Sequence, residues 1–484
     1  MKILKFGGTS VGSPDALRSL SRIVQRERAD GTPLIVVCSA MGGITNSLLR
    51  FGADATAGRD VSDEVRGIEH HHLHALHELA SGPHADAAEA NIRGHIVQMG
   101  EWLGGIRALG ECTPAVRDRL TSFGELMSCE IVTALLRDAG LDAWLADSRE
   151  YILTAANGAG PALYQREPTL ERLRAAFGAP DGRVPVMTGF IASDIASGRT
   201  TTLGRGGSDL TAAILGGLLE ADEVQIWTDV DGFMTADPRL VPRAFSQPAL
   251  SYDEAMELSY FGAKVIYPPS LTPAISGGIP IRVLNTFNPD HPGTLIHRSA
   301  GSGGTLVKGI SSIRDVAVIT VEGSGMIGLK GFSGRLFGVL AGVDVNVVLI
   351  TQASSEHSIS FAVVPDEAER AAEAIRGEFE LEMMRNRIKA PEITRDVSIM
   401  AVVGENMKHA RGFSGRVFTA LGRNGINVIA IAQGSSELNI SVVIRTADLP
   451  RGLNAVHDAL FFPQERHMHL YVAGVGTVGS ELLA

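Results

Sequence analysis

Apolar positions at the head of the chain come in short unbroken runs, each followed by glycines and then by an amphipathic stretch. Residues 1–4 read as a buried strand, and residues 16–27 as a helix that Ser13 or Asp15 caps. Residues 33–38 form a second apolar strand, leading through Ser39-Ala40-Met41-Gly42-Gly43-Ile44-Thr45-Asn46 into another helix. Two strand, Gly-rich loop and helix units in succession predict a parallel α/β sheet with ligands at the C-terminal strand ends. Residues 61–109 are helical in pattern, and a further helix begins at Thr121-Ser122-Phe123-Gly124-Glu125. Strands are expected at 184–187, 224–227 and 281–286, with a helix over 210–219.

Beyond Ser299-Ala300-Gly301-Ser302-Gly303-Gly304, a linker by composition, the chain repeats itself. Gly331-Phe332-Ser333-Gly334-Arg335 returns 81 positions later as Gly412-Phe413-Ser414-Gly415-Arg416, and Gln352-Ala353-Ser354-Ser355-Glu356 returns at the same offset as Gln433-Gly434-Ser435-Ser436-Glu437. Each copy reads strand (316–321; 399–403), Gly-rich loop, helix, strand (345–350; 428–431), strand (358–364; 439–444), helix. This βαββα order resembles the ACT domain, an amino-acid-sensing module. A duplication with a purely structural role is the alternative.

Composition narrows the possibilities. A chain of 484 residues, 45% hydrophobic and 20% charged, has material for several soluble cores. A net charge of −11 argues against nucleic-acid binding, which needs a basic surface. Cys38, Cys112 and Cys129 are widely spaced and form no C-x-x-C pair, so free thiols in a reducing cytosol are expected. The first residues lack a basic n-region followed by an apolar h-region, and no run of about 18 apolar residues appears, so a cytoplasmic protein is expected. His70, His74 and His77 would share a helix face; they suit either a metal or a solvated surface.

The first candidate chemistry lies in Lys5-Phe6-Gly7-Gly8-Thr9-Ser10. A strand that turns through two glycines toward a helix N-terminus offers backbone N–H groups and a dipole to an anion, and Lys5 adds a charge. An ordinary tight turn is the alternative. No G-x-x-x-x-G-K-[ST] loop occurs. The six residues do resemble the opening signature of aspartate kinases in the amino-acid kinase superfamily. Further matches are Thr202-Leu203-Gly204-Arg205-Gly206-Gly207-Ser208-Asp209, Trp227-Thr228-Asp229-Val230-Asp231-Gly232 and Phe261-Gly262-Ala263-Lys264-Val265.

That resemblance implies an α/β fold: a three-layer amino-acid kinase (carbamate-kinase-like) sandwich with a mostly parallel sheet, followed by two α+β ACT domains. The expected divisions are a kinase domain at 1–298, a linker at 299–310, ACT units at 311–392 and 393–466, and a tail at 467–484. The activity implied is transfer of the γ-phosphate of MgATP, which carries its own Mg²⁺, to the side-chain carboxylate of L-aspartate. No protein-bound metal is expected. Aspartate's carboxylate is already ionised at neutral pH, so no general base is required, only positioning and charge neutralisation. Lys5, Lys264 and the N–H groups of Gly7, Gly8, Gly206 and Gly207 suit that task.

By the same resemblance, Asp209 orients the catalytic lysines. Arg205 forks onto the α-carboxylate, Glu125 takes the ammonium, and Ser39, Thr45 and Ser208 offer hydroxyls. An Asp209 helix cap and an Arg205–Glu125 surface pair are the structural alternatives. Thr9, Ser10, Thr228, Asp229, Phe233, Asp237 and Arg239 match nucleotide-binding positions, with an apolar wall for adenine. Asn346, Gln352, Asn427 and Gln433 match effector positions, where an amide at the end of a buried strand suits a free amino acid. Pairing of ACT sheet edges implies a homodimer.

Two features depart or truncate. Tyr267-Pro268-Pro269 stands where the family usually has a His-Pro-Arg-type ending, and Phe287 is bulkier than is common there. The last strand runs into Gly474-Val475-Gly476-Thr477-Val478-Gly479, a G-x-G-x-x-G with five residues after it, too few for a dinucleotide site. It resembles the first strand of a homoserine dehydrogenase domain, as in bifunctional aspartate kinase–homoserine dehydrogenases, and a frayed tail without dehydrogenase activity is expected. That likeness favours threonine over lysine as effector. A lysine-regulated monofunctional enzyme and a catalytically impaired ACT sensor are the other readings.

Overall fold

A computed structural model of the chain describes all residues except 158, 159, 180, 263, 264, 299–304, 327–329, 353–356, 409 and 463–484. Lys264, the glycine-rich linker and the G-x-G-x-x-G tail therefore lie outside the described residues.

The first half is built on an eight-stranded sheet in the order Ala249–Ser251, Thr294–His297, Ile281–Asn285, Glu223–Thr228, Lys2–Phe6, Leu34–Cys38, Val184–Thr188, Ala143–Ala146. Every pairing is parallel except that of Ile281–Asn285 with Thr294–His297. Strands with helices on both faces bury both sides, which explains their unbroken apolar runs. Leu4, Phe6, Val36 and Cys38 face one helical layer, while Ile3, Ile35 and Val37 face the other. A three-layer sandwich results.

Pro14–Arg28, Ile44–Thr56, Ser62–Leu79, Pro83–Leu109 and Pro114–Asp138 supply the first helical layer. The continuous helical pattern over 61–109 is broken at Gly82, whose left-handed φ of +70° precedes Pro83. The helix expected to start near Thr121 begins earlier, at Pro114, with Thr113 accepting from Val116 N. Gly207–Leu218, Tyr252–Tyr260 and Thr272–Gly277 lie on the other face. Leu153–Asn157, Gly160–Tyr164, Ile191–Asp194 and Thr200–Thr202 form a small separate sheet. Among the described residues, no helix is long and apolar enough to cross a membrane.

The two repeats share one six-stranded antiparallel sheet, ordered Leu349–Gln352, Ser358–Val363, Gly309–Glu322, Glu392–Val403, Asn439–Arg445, Ala430–Ala432. Its central strands are longer than the sequence pattern suggests, because each serves both copies. Gly309–Glu322 pairs through residues 317–322 with Ser358–Val363 of its own repeat. Along both halves it pairs with the other long strand, residues 309–313 meeting 399–403 and residues 316–320 meeting 392–397. The crossing points are Asp315 and Asp396, equivalent residues with φ of +52° and +57°. Aspartate is among the few side chains that tolerate this region. The second strand of each copy starts later than expected. Val345 N and Ile426 N are still closing the preceding helices, on Leu340 O and Leu421 O.

The two halves of the chain interlock, and the expected linker at 299–310 gives way to packed structure by Val307, which is buried. Phe261, at the end of Tyr252–Tyr260, is buried against Val316, Val318, Ile399 and Val443 on the six-stranded sheet. Ser311 Oγ donates to Leu258 O (2.9 Å), and Ile310 N donates to Thr235 O (2.7 Å). Thr235 Oγ1 also lies 2.9 Å from His457 Nε2, and Asn454 Nδ2 donates to Leu240 O (2.8 Å).

Candidate active site

Lys5 sits one residue from the end of the strand Lys2–Phe6, opposite Val37 and Ile226 in its neighbours. The chain then turns at Gly7, whose N–H donates to Trp227 O (3.1 Å). Two Gly-rich loops meet closely here. A Cβ on Gly8 would stand 3.1 Å from Ala40 O, and one on Gly12 would stand 2.8 Å from Gly8 O. Only glycine lets the Lys5 and Ser39 loops touch backbone to backbone.

Lys5 points to the face occupied by the helix Gly207–Leu218, and its Nζ lies 2.6 Å from Asp209 Oδ1. Both side chains are about nine-tenths buried. Asp209 is not a cap: Gly206 holds that position, at φ +69°, with no side chain on the first N–H groups. The helix Ile44–Thr56 is likewise uncapped behind Gly43, at φ +83°. The first N–H of each is taken, Gly207 N by Gly204 O and Ile44 N by Met41 O (both 3.0 Å), which removes Gly207 from the expected phosphate donors. The N–H groups that follow and the positive dipole ends remain for an anion. The helix Pro14–Arg28, which the sequence made the anion-binding one, differs: Ser13 caps it by accepting from Ala16 N (3.3 Å).

A cavity of about 370 Å³ opens between these termini, within the range of small-molecule sites. Lys5, Gly8, Ser39, Thr45, Glu125, Arg205, Gly206, Gly207, Ser208 and Asp209 all line it. Glu125 is buried on the helix Pro114–Asp138, where its Oε1 accepts from Ala40 N (3.1 Å) and its Oε2 has no partner among the described residues. Burial pushes its carboxyl up to about 8, against the opposing pull of the Ala40 N–H. Ser128 Oγ donates to Ser39 O (2.8 Å), fixing that loop on the same helix. Arg205 is exposed, its Cζ lying 5.4 Å from the Tyr267 ring centroid. No ion pair joins it to Glu125 among the described residues.

The cavity also has a wall that sequence reasoning missed. Phe190 lines it with φ +68°, a region a bulky residue rarely adopts. Thr211 Oγ1 accepts the Phe190 N–H (3.1 Å), and Phe190 O accepts from Leu203 N (2.8 Å). Gly189 before it was the only hint: a Cβ there would stand 2.6 Å from Ser208 Oγ.

The residues matched to nucleotide binding do not all face solvent. Gly7 and Thr228 adjoin at the strand ends, and Thr9 and Asp229 are available at the surface. Ser10 is fully buried; it donates to Trp227 O (3.1 Å) and accepts from Thr286 Oγ1 (2.7 Å). Its hydroxyl is spent on the turn, which corrects its placement as a ligand group. Phe233 is fully buried in the core with Ile226, Leu250 and Ile296, so it supports the loop and forms no adenine wall. Arg239 is 85% exposed and grips Asp237 by two side-chain bonds of 2.9 and 2.8 Å. The Arg239 side chain, with help from the Arg239 N–H, holds Asp237 below the usual carboxylate range. None of these residues lines the cavity.

The effector positions also differ from expectation. Gln352 and Gln433 end the strands Leu349–Gln352 and Ala430–Ala432 or follow them, and both strands are sheet edges. All four amide residues, Asn346, Gln352, Asn427 and Gln433, are exposed in the single chain. The two edge strands approach each other, Thr351 Oγ1 donating to Ile431 O (2.8 Å). The histidine face is solvated: His77 Nε2 lies 2.7 Å from Glu89 Oε2, and His74 is 62% exposed.

The model of the amino acid kinase family matches residues 1–285, and that of the ACT domain matches 319–379 and 400–460. The bifunctional aspartokinase/homoserine dehydrogenase of Haemophilus influenzae is 37% identical over 490 residues, covering 100% of this chain. The chain spans 59% of that relative's length. Aspartokinase 2 (chloroplastic) of Arabidopsis thaliana is 35% identical, covering 95% of this chain and 84% of its own length. Among solved structures, E. coli aspartokinase III in complex with aspartate and ADP superposes with a TM-score of 0.77 at 28% identity, covering 95% of this chain and 100% of its own. The same enzyme in complex with lysine and aspartate gives 0.75 at 29% identity, with 95% and 99% covered.

Proposed function

Because the chain belongs to the amino acid kinase family, in its aspartokinase branch, we propose that it transfers the γ-phosphate of MgATP to the side-chain carboxylate of L-aspartate, giving 4-phospho-L-aspartate and ADP. One observation carries the reading. A single cavity brings together a buried lysine–aspartate pair, a buried lone carboxyl and an exposed arginine. These match the charges of free aspartate and of a transferring phosphoryl group.

Glu125 receives the ammonium, Arg205 the α-carboxylate, and Ser39, Thr45 and Ser208 supply hydroxyls. The β-carboxylate is then free to attack phosphorus. A new P–O bond forms at the carboxylate as the β,γ-bridging P–O bond breaks, and no proton needs to move. Lys5 neutralises charge on the phosphoryl oxygens, Asp209 holds Lys5 in place, and the uncapped N-termini behind Gly43 and Gly206 add fixed donors. Lys264 joins this set by family resemblance. Thr9, Thr228, Asp229, Asp237 and Arg239 form the nucleotide side. Three free cysteines, two of them buried, fit a cytoplasmic setting.

The ACT pair binds a free amino acid as inhibitor, at Asn346, Gln352, Asn427 and Gln433. Threonine is the favoured effector because several relatives are bifunctional enzymes; lysine is the second reading because E. coli aspartokinase III was seen with lysine. Edge strands bearing exposed Ile350 and Ile431, with exposed Ile429 just before the second, suit pairing with a second copy. The test is aspartyl-phosphate formation trapped as the hydroxamate, alone and with threonine or lysine. Turnover suppressed by threonine supports the whole reading, and suppression by lysine alone replaces the effector. Folded protein without turnover overturns the kinase reading in favour of a sensor.

A further inference from the structure

We propose that Tyr267 is a positioning residue that holds Arg205 ready for a substrate carboxylate. The proposal rests on the aspartate-kinase reading of the cavity but is carried by separate geometry. Arg205 sits between Gly204 and Gly206, at φ +74° and +69°, so its backbone is flanked on both sides by the least restrained residue type. Its side chain is exposed and has several rotatable bonds to immobilise. The partner found for its guanidinium among the described residues is the Tyr267 ring, 5.4 Å from Cζ to centroid, within the range of a cation–π contact.

The backbone that carries the ring is itself held. Tyr267 O accepts from both Ser270 N (3.0 Å) and Ser270 Oγ (2.6 Å) at the start of the short helix Pro268–Leu271. The Tyr267 side chain also abuts Gly206, where a Cβ would stand 2.7 Å from Tyr267 Cβ and 3.0 Å from Cδ1. Gly206 thus does two things at once. It leaves the helix N-terminus uncapped, and it makes room for the aromatic that steadies the arginine next door. A guanidinium lying on a ring keeps its N–H edge free for bidentate contact with a carboxylate, so the stack and the ligand do not compete. The tyrosine that departs from the usual sequence here acquires a role through Arg205.

The experiment uses the full chain and compares Tyr267→Leu with Tyr267→Phe, in steady-state kinetics with aspartate and MgATP varied separately. Tyr267→Leu is expected to raise the aspartate KM about three- to fivefold, the effect of losing one exposed cation–π contact, with kcat and the MgATP KM nearly unchanged. Tyr267→Phe is expected to restore the aspartate KM. A second readout needs no turnover: the Arg205 Nε–H resonance, assigned with Arg205→Lys, is expected upfield in the parent and in Tyr267→Phe but not in Tyr267→Leu. An unshifted parent resonance overturns the proposal, and so does an unchanged aspartate KM in Tyr267→Leu or a failed rescue by Tyr267→Phe. A parent chain with a shifted resonance and no aspartate turnover would instead overturn the kinase reading alone.

Discussion

Lys5 Nζ and Asp209 Oδ1 meet at 2.6 Å across the joint between the first strand and an uncapped helix start more than 200 residues later. Each is buried, so each depends on the other. Lys5→Met is expected to lower kcat by about a thousandfold, the scale for removing one transition-state donor. It should also destabilise the fold, because Asp209 is left buried without its counter-charge. Adding Asp209→Asn should recover thermal stability but not hydroxamate formation. Near-parental turnover in Lys5→Met would remove Lys5 from the phosphate site.

Glu125 sets a pH dependence whose sign follows from its surroundings. In the empty cavity its carboxyl titrates at about 8, so at neutral pH it is mostly protonated. An incoming ammonium favours the ionised form, and binding must release a proton. Aspartate affinity should weaken as pH falls below about 8, approaching tenfold per unit if one proton is displaced. Calorimetry in buffers of different ionisation enthalpy would read that proton directly. A raised carboxyl pKa contributes stability at low pH that fades as pH rises from about 4.5 toward 8. Glu125→Gln should accordingly raise the melting temperature of the empty protein at pH 8 and weaken aspartate binding. A pH-independent aspartate KM between 6 and 8 would contradict the assignment.

Gln433→Ala is expected to move the inhibition midpoint of the effective amino acid about three- to tenfold upward, the scale of one or two lost hydrogen bonds. The uninhibited rate should hardly change. An unmoved inhibition curve would exclude this amide from the effector site.

Two glycine substitutions should have opposite signs. Gly262 has φ +117°, and a Cβ there would stand 2.2 Å from Ser312 O, so Gly262→Ala forces the kinase half away from the regulatory sheet. A loss of roughly 2 kcal/mol or more is expected. Gly100 is an exposed interior residue of Pro83–Leu109 with nothing near a new Cβ, and Gly100→Ala should stabilise by about 0.5–1 kcal/mol. Denaturant melts of both variants compare the two directly.

Much of this was legible because the chain obeys local rules. Strands buried on both faces must be apolar throughout, so the sheet strands and the Lys5-Gly8 turn could be read locally, whereas the convergence of Ser39 and Arg205 on that turn was implied by the resemblance to aspartate kinases. What escaped depends on long-range partners. Ser10 reads as a ligand hydroxyl until Thr286 and Trp227 O claim it. Phe233 reads as an exposed wall until the sheet closes over it. Phe190 adopts a left-handed backbone that no residue pattern announces. The Ser13 cap, by contrast, is local and legible, and it occupies the very terminus that the Gly-Gly turn suggests for an anion. The partner exchange at Asp315 and Asp396 joins segments from different repeats, which periodicity within either repeat does not reveal.

The fastening of Thr235 to His457 and of Phe261 into the regulatory sheet bears on how this architecture can be recombined. The seam between catalytic and sensing halves does not follow the glycine-rich stretch at 299–304, where a cut would be easiest to make. It runs through residues 235–262, deep inside the catalytic half. A chimera joined at the glycine-rich stretch would set one protein's Phe261 and Leu240 against another's sheet and terminal helix. Exchange of sensors between relatives should therefore succeed only when residues 235–262 travel with the sensor, so that the inheritable unit of regulation includes part of the kinase itself.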